Sequence, residues 1–291
     1  MKERSVFIEG DIDIDEEEFK KLINESQLEE CSLSLPRGYL SPSQVDMYLR
    51  CGVQYMKRYV EGKIAPPGVA LVEGSSIHKA LEVALTEKKN SNTVAPVSVM
   101  LDAWSDRWKE GRKEVVDWGD ISETSTAHAV EKRARAFITE YQTNHLPKVH
   151  PIEVEKLTRG VVGESRVPVL GYIDLVHIAE PDILNGAEIV DHKVLKAAKT
   201  EAQVENDLQL SLYAHCEGIR NVAFNCFVKT KIPKISKVKT SRTRRDLDWM
   251  ENVFNSVAVN ISAGVFMPCD PTGWACTPKY CGYYRDCRGK K

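Results

Sequence analysis

The run IVDHKV, residues 189 to 194, has the apolar flanks of a buried strand but carries Asp191, His192 and Lys193 side by side. Strand side chains alternate between faces, so Asp191 and Lys193 project together and His192 points the other way. That pair fits a surface ion pair at a strand end, or part of a metal-dependent active site. Asp174, inside the apolar run VLGYIDLV, favours the second, because a charge there costs several kcal/mol unless something pairs with it. Two carboxylates on neighbouring strands raise each other's pKa unless a cation lies between them. Hard carboxylate oxygens suit Mg²⁺ or Mn²⁺. Lys193 could then hold a water or steady the charge developing on a phosphate. His78, in EGSSIHKALE, lies one helical turn after Gly74 and is a further candidate ligand, although a solitary helical His is more often structural.

These residues need elements to position them. Ser41, Pro42 and Gln44 give a helix start with a capping box, followed by Val45, Tyr48, Tyr55 and Tyr59 at helical spacing. Further helices are predicted over 71–87, 98–113 and 125–145. From about Val149 the pattern changes to strands over 151–158, 166–178 and 186–194, the last two joined by the turn-rich AEPDILNG. A helix over 200–218, strands over 222–229 and 234–240, and a helix over 244–263 complete an α/β or α+β arrangement with a small mixed sheet and a helical layer. The divisions are an acidic extension over 1–35, with a short helix near 16–29, and one domain over 36–291. The domain has a helical part 41–148, an α/β core 149–263 and a Cys-rich tail 264–291.

The 291 residues carry a net charge of −2, but residues 1 to 30 hold eleven acids against four bases, which leaves the remainder net basic. The sharpest basic strip is KTKIPKISKVKTSRTRR, with Lys229, Lys231, Lys234, Lys237, Lys239, Arg242, Arg244 and Arg245 and no acid. Together with Lys196 and Lys199 it is a candidate surface for DNA phosphates, the alternative being a solvated strand and loop. No apolar run approaches the roughly 20 residues of a membrane span. Eight cysteines with no signal peptide point to a reducing, cytoplasmic setting in which thiols stay free or bind metal.

Taken in order, Gly74-x-x-x-His78, Asp174, Asp191-x-Lys193 and Gln209-x-x-x-Tyr213 resemble the motifs of the PD-(D/E)XK nuclease superfamily. The closest branch is that of RecB-like exonucleases from phage and bacterial recombination systems; Gly171-x-x-Asp174 has that branch's form. The resemblance implies a restriction-endonuclease-like core. It also implies a metal held by His78, Asp174, Asp191 and the backbone carbonyl of His192, and a water activated by Lys193. Gln209 and Tyr213 would line the active site, contacting DNA or supporting the lysine. The implied function is a metal-dependent DNA exonuclease in DNA processing, recombination or repair, acting on single-stranded or free-ended DNA, with a recombination or replication protein as a partner. An endonuclease on flaps or branches would use the same residues, and a non-catalytic DNA-binding or scaffold protein is the alternative from another class.

Within that resemblance, Cys51 in the first helix and Cys276, Cys281 and Cys287 in WACTPKYCGYYRDC are similar to the cysteines of an iron-sulfur clasp. Four thiolates could hold a [4Fe-4S] cluster, with Cys269 near enough to substitute, or Zn²⁺. Otherwise the thiols are free and Trp274, Tyr280, Tyr283 and Tyr284 pack the tail as an apolar plug.

Overall fold

The computed structural model describes residues 31–115, 118, 122–179 and 186–289. The helix expected near 16–29, and with it most of the acidic extension, lies outside them. In chain order the helices begin with α1 (Pro42–Arg50), α2 (Gly52–Tyr55), α3 (Val69–Ser91), α4 (Val97–Gly111) and α5 (Glu123–Glu140). Strands β1 (Pro151–Val162), β2 (Val167–Ile178) and β3 (Ala187–Leu195) follow. Then come α6 (Glu201–Glu205), α7 (Leu208–Glu217), β4 (Asn221–Val228), β5 (Lys234–Ser241), α8 (Arg244–Ser262) and α9 (Tyr284–Arg288). The strands form one mixed sheet in the order β1-β2-β3-β4-β5. β3 lies antiparallel to β2 and parallel to β4, and β5 is antiparallel to β4. A parallel pair needs a long crossover, which α6 and α7 supply between β3 and β4.

Two compact units divide the chain, and the first takes in Pro67–Thr158 and Tyr172–Asp246. Its core joins Ile77, Leu81 and Leu85 of α3, Met100 and Trp108 of α4, and Val130 and Phe137 of α5 to Leu175, Val190, Ala223 and Phe227 on one sheet face. The residues named on each helix fall on one stripe, and Ala223 and Phe227, an even number of residues apart, share one face of β4. On α7, Leu210, Leu212 and Tyr213 are buried, and this helix packs on β3 and β4. The helix expected over 200–218 is in fact two. A capping box between Thr200 and Gln203 starts α6, and the Asp207 carboxylate takes the Leu210 N–H to start α7. An aspartate accepting its own downstream amide favours a fresh start over continuation.

The second unit contains α1, α2, α9, the stretch Arg159–Gly171 and α8 from Leu247. Ser41 caps α1 by accepting the Gln44 N–H at 3.3 Å, while the Gln44 side chain accepts from the Tyr55 hydroxyl at 3.5 Å. Leu40 pairs with the start of β2 through Leu40 N–H to Pro168 O at 2.9 Å and Leu170 N–H to Leu40 O at 3.1 Å. Leu247, Met250, Phe254, Val257 and Ile261 form the buried stripe of α8.

Candidate active site and cysteine cavity

Four elements of the first unit bring polar groups together at one end of the β2–β3 pairing. The register runs from Ile178↔Ala187 to Leu175↔Val190. One residue further, the Asp174 carboxylate rather than a backbone carbonyl takes the His192 N–H, at 2.6 Å. His78 comes in from α3 with Nδ1 3.3 Å from the second Asp174 oxygen and Nε2 2.7 Å from the His192 carbonyl. Glu155 of β1 completes the group, with a ligand atom from each of His78, Glu155 and Asp174 lying within 4.8 Å of one another. Its backbone has φ +49°, a left-handed conformation that costs a non-glycine residue roughly 1–3 kcal/mol and is concentrated at functional sites.

Asp191 stands beside this trio. Its oxygens are taken by Lys193 Nζ at 2.9 Å and by Gln209 Nε2 at 2.8 Å, and the same Gln209 nitrogen lies 2.8 Å from the Tyr213 hydroxyl. Gln209 and Tyr213 are one turn apart on α7, which lets one amide bridge carboxylate and phenol. Asp174 is 7 % and Asp191 2 % exposed, so the Asp191–Lys193 pair is no surface ion pair. Burial is the largest single influence on the Asp174 carboxyl and tends to raise it, but the His78 imidazole, His192 and Lys193 together hold it well below the usual range. Burial raises Asp191, and Asp174 adds to this against the opposing pull of Lys193. Burial pushes Glu155 up to about 8, with Asp174 contributing. The His192 ring is buried edge-on to Tyr141 and Phe227, and burial lowers it to about 3, so it stays neutral. Two buried carboxyls that take up protons when no cation is near, a third that stays ionised, an imidazole and a carbonyl make a donor set suited to a hard divalent cation.

The basic residues do not act as one strip. Arg242 is buried, its guanidinium donating to Ser211 Oγ at 2.8 Å and to the carbonyls of Val204 at 2.7 Å and Asp207 at 3.2 Å, so it ties β5 to α6 and α7 and offers no cation to solvent. Lys229 pairs with the buried Glu73 at 3.2 Å, and Lys237 pairs with Glu188, which also meets His177. Lys196, Lys231, Lys234, Lys239, Arg244 and Arg245 are exposed. Glu155 has no place in the sequence reading, because an acid alternating with Ile152 and Val154 looks like the polar face of a strand. Its place beside His78 and Asp174 depends on β1 lying next to β2 in the sheet.

In the second unit, Cys51, Cys269, Cys276, Cys281 and Cys287 line a single cavity of about 170 Å³. Gly52 makes this convergence possible. A Cβ there would lie 2.7 Å from the Met267 backbone nitrogen; its absence lets the Gly52 N–H reach Met267 O at 2.8 Å. Two residues on, the Cys269 N–H donates to Cys51 Sγ at 3.4 Å, and the Cys269 thiol contacts those of Cys51 and Cys276. Burial pushes the Cys269 thiol up to about 12, and the neighbouring thiols push the same way. Cys287 is exposed on α9. Cys269, expected only as a substitute for one of the four that the family resemblance implies, lines the cavity together with all of them. Tyr283, in place of a loose plug, donates to the Lys63 carbonyl at 2.8 Å.

Among the described residues no helix is long and apolar enough to cross a membrane. No curated protein matches this chain in sequence. In structure it is similar to a candidate exonuclease from Eubacterium rectale, with a TM-score of 0.55 and 14% identity over 82% of this chain and 86% of that one. SSO0001 gives a TM-score of 0.33 and 10% identity over 71% and 82%. At 14% identity the first likeness bears on the fold alone, a mixed five-stranded sheet flanked by helices. The sequence matches the PD-(D/E)XK nuclease superfamily over residues 39–288, nearly the whole described chain, and the protein therefore belongs to that superfamily.

Proposed function

We propose that this nuclease is a metal-dependent DNA exonuclease of the RecB-like branch. The observation that supports the reading is the group of half-buried His78 and Glu155 with buried Asp174 and Asp191, and Lys193 paired to Asp191, a set of acids, imidazole and amine that fits the chemistry of the superfamily. His78, Glu155, Asp174, Asp191 and the His192 carbonyl would hold Mg²⁺ or Mn²⁺. Such an ion, when bound, neutralises phosphate charge and lowers the pKa of a coordinated water. Lys193 Nζ, held beside Asp191, would orient the attacking water and steady the charge developing on the phosphate. Gln209 fixes one Asp191 oxygen and the Tyr213 hydroxyl, so the carboxylate cannot turn away. The choice of an exonuclease over an endonuclease built on the same residues rests on the resemblance of Gly171-x-x-Asp174 and Gln209-x-x-x-Tyr213 to the RecB-like branch.

The cysteine cavity supports a [4Fe-4S] cluster ahead of zinc. Its thiols are several and unbridged, and soft sulfur donors suit iron-sulfur chemistry. Such a cluster would join α2 to the tail within the second unit.

The test is incubation of end-labelled linear and closed-circular DNA, single and double stranded, with Mg²⁺, with Mn²⁺ and with chelator, using Asp191→Ala as control. Metal-dependent loss of linear DNA with circles intact is expected. Cut circles would establish an endonuclease, and no metal-dependent cleavage of any substrate would refute the catalytic reading.

A further inference from the structure

Lys193 shares its surroundings with a second amine. On the parallel β3–β4 pair Asp191 faces Phe224 and Lys193 faces Cys226, so these four side chains occupy one patch of the sheet face that carries the proposed chemistry. After Leu195 the chain turns back over this patch. The Lys199 backbone N–H donates to Cys226 Sγ, and the Thr200–Gln203 capping box fixes the next residues as the start of α6. The Lys199 ammonium stands 5.8 Å from the centre of the buried Phe224 ring, and the Lys193 ammonium 5.9 Å from the same centre. An aromatic face holds one cation well, but two ammonium ions against one ring repel unless an anion lies near both. Lys193 has its anion in Asp191 at 2.9 Å. Among the described residues Lys199 is paired with no carboxylate.

We propose that Lys199 is a phosphate-binding residue of the active site, holding the DNA phosphate adjacent to the one that Lys193 faces. This rests on the active-site reading above and adds to it a second, fixed cation that sets where the strand lies. An ammonium on a short, anchored loop acts as a point charge toward a single phosphate, unlike the exposed lysines of β5, which meet the strand diffusely.

The experiment compares wild type, Lys199→Met and Lys199→Arg by steady-state cleavage, and by fluorescence anisotropy on a labelled single-stranded oligonucleotide over a salt series in chelator. Loss of one charge-assisted contact should raise KM about tenfold while kcat stays within about twofold. The slope of log affinity against log salt should become shallower by about one, and Lys199→Arg should restore both. A Lys199→Met protein with wild-type KM and salt slope would overturn the proposal, as would a loss of kcat that Lys199→Arg does not rescue. If wild type cleaves nothing, the active-site reading fails, and the salt slope still decides separately whether Lys199 binds phosphate.

Discussion

The carboxylate site and the cysteine cavity both gather groups that can hold metal, yet they prepare for it in opposite ways. In the first, both aspartates are already engaged: Asp174 with His78 and the His192 amide, Asp191 with Lys193 and Gln209. In the second, five thiols face one cavity with only weak contacts among themselves. The difference follows from charge. A buried carboxylate without a partner costs several kcal/mol, so its partners must be built into the sheet, whereas a buried neutral thiol behaves as a small apolar group and can wait. One site should keep its shape without metal and lose only its chemistry; the other should lose part of its fold.

The largest effect expected from this contrast is at Lys193 and Asp191. Lys193→Ala or Asp191→Ala should reduce cleavage by at least about a thousandfold, as losses of transition-state charge stabilisation do, with DNA affinity in chelator little changed and the melting temperature lowered by the loss of one partner of a buried pair. Wild-type turnover in either variant would show that the carboxylate site is not where phosphodiesters are cut. Cys51→Ser sharpens the other half. Bound iron and sulfide should disappear, and the melting temperature should fall by several degrees, because the link closes a loop of more than two hundred residues. An unchanged melt with metal absent would leave the thiols as plain packing.

How far the sequence disclosed each region follows from the same contrast. Asp174, Asp191, Lys193, Gln209 and Tyr213 stand out because strand alternation and helical spacing fix which residues share a face, and an acid in an apolar run is visible without coordinates. Glu155 is hidden, since its role depends on which strand β1 lies beside and on a left-handed residue within a strand. Cys269 is partly legible: its place beside the tail marks it as a substitute ligand, but its approach to Cys51 is set by the missing side chain of Gly52, a contact that spacing does not encode. Arg242 shows the opposite failure, a cation counted as surface that is spent on carbonyls inside the fold.

Glu155 offers a moderate test. Glu155→Gln should weaken Mg²⁺ or Mn²⁺ activation about ten- to a hundredfold, as loss of a metal ligand or its close neighbour does, with maximal cleavage partly recovered at high metal. Activation by metal unchanged from wild type would place Glu155 outside the ion's reach and leave His78, Asp174 and Asp191 to hold it.

The smallest effect is in the stability of the metal-free protein against pH. Glu155 and Asp191 titrate above the ordinary carboxyl range when folded, Glu155 at about 8, so between pH 4.5 and 8 the folded chain binds more protons than the unfolded one. Stability from these groups is therefore complete below their unfolded pKa and declines as pH rises through the folded values. Asp174, held low, works the other way, but its contribution changes only in strong acid, outside this window. In chelator, melting temperature should fall from pH 5 to 8 by a few degrees, at about 2–4 °C per kcal/mol for a chain of this size. Glu155→Gln should flatten that slope, and added Mg²⁺ should remove it by supplying the positive charge that the protons otherwise provide. A melt that rises with pH in chelator would mean that the carboxyls are already neutralised within the fold, and that the carboxylate site needs no ion to be complete.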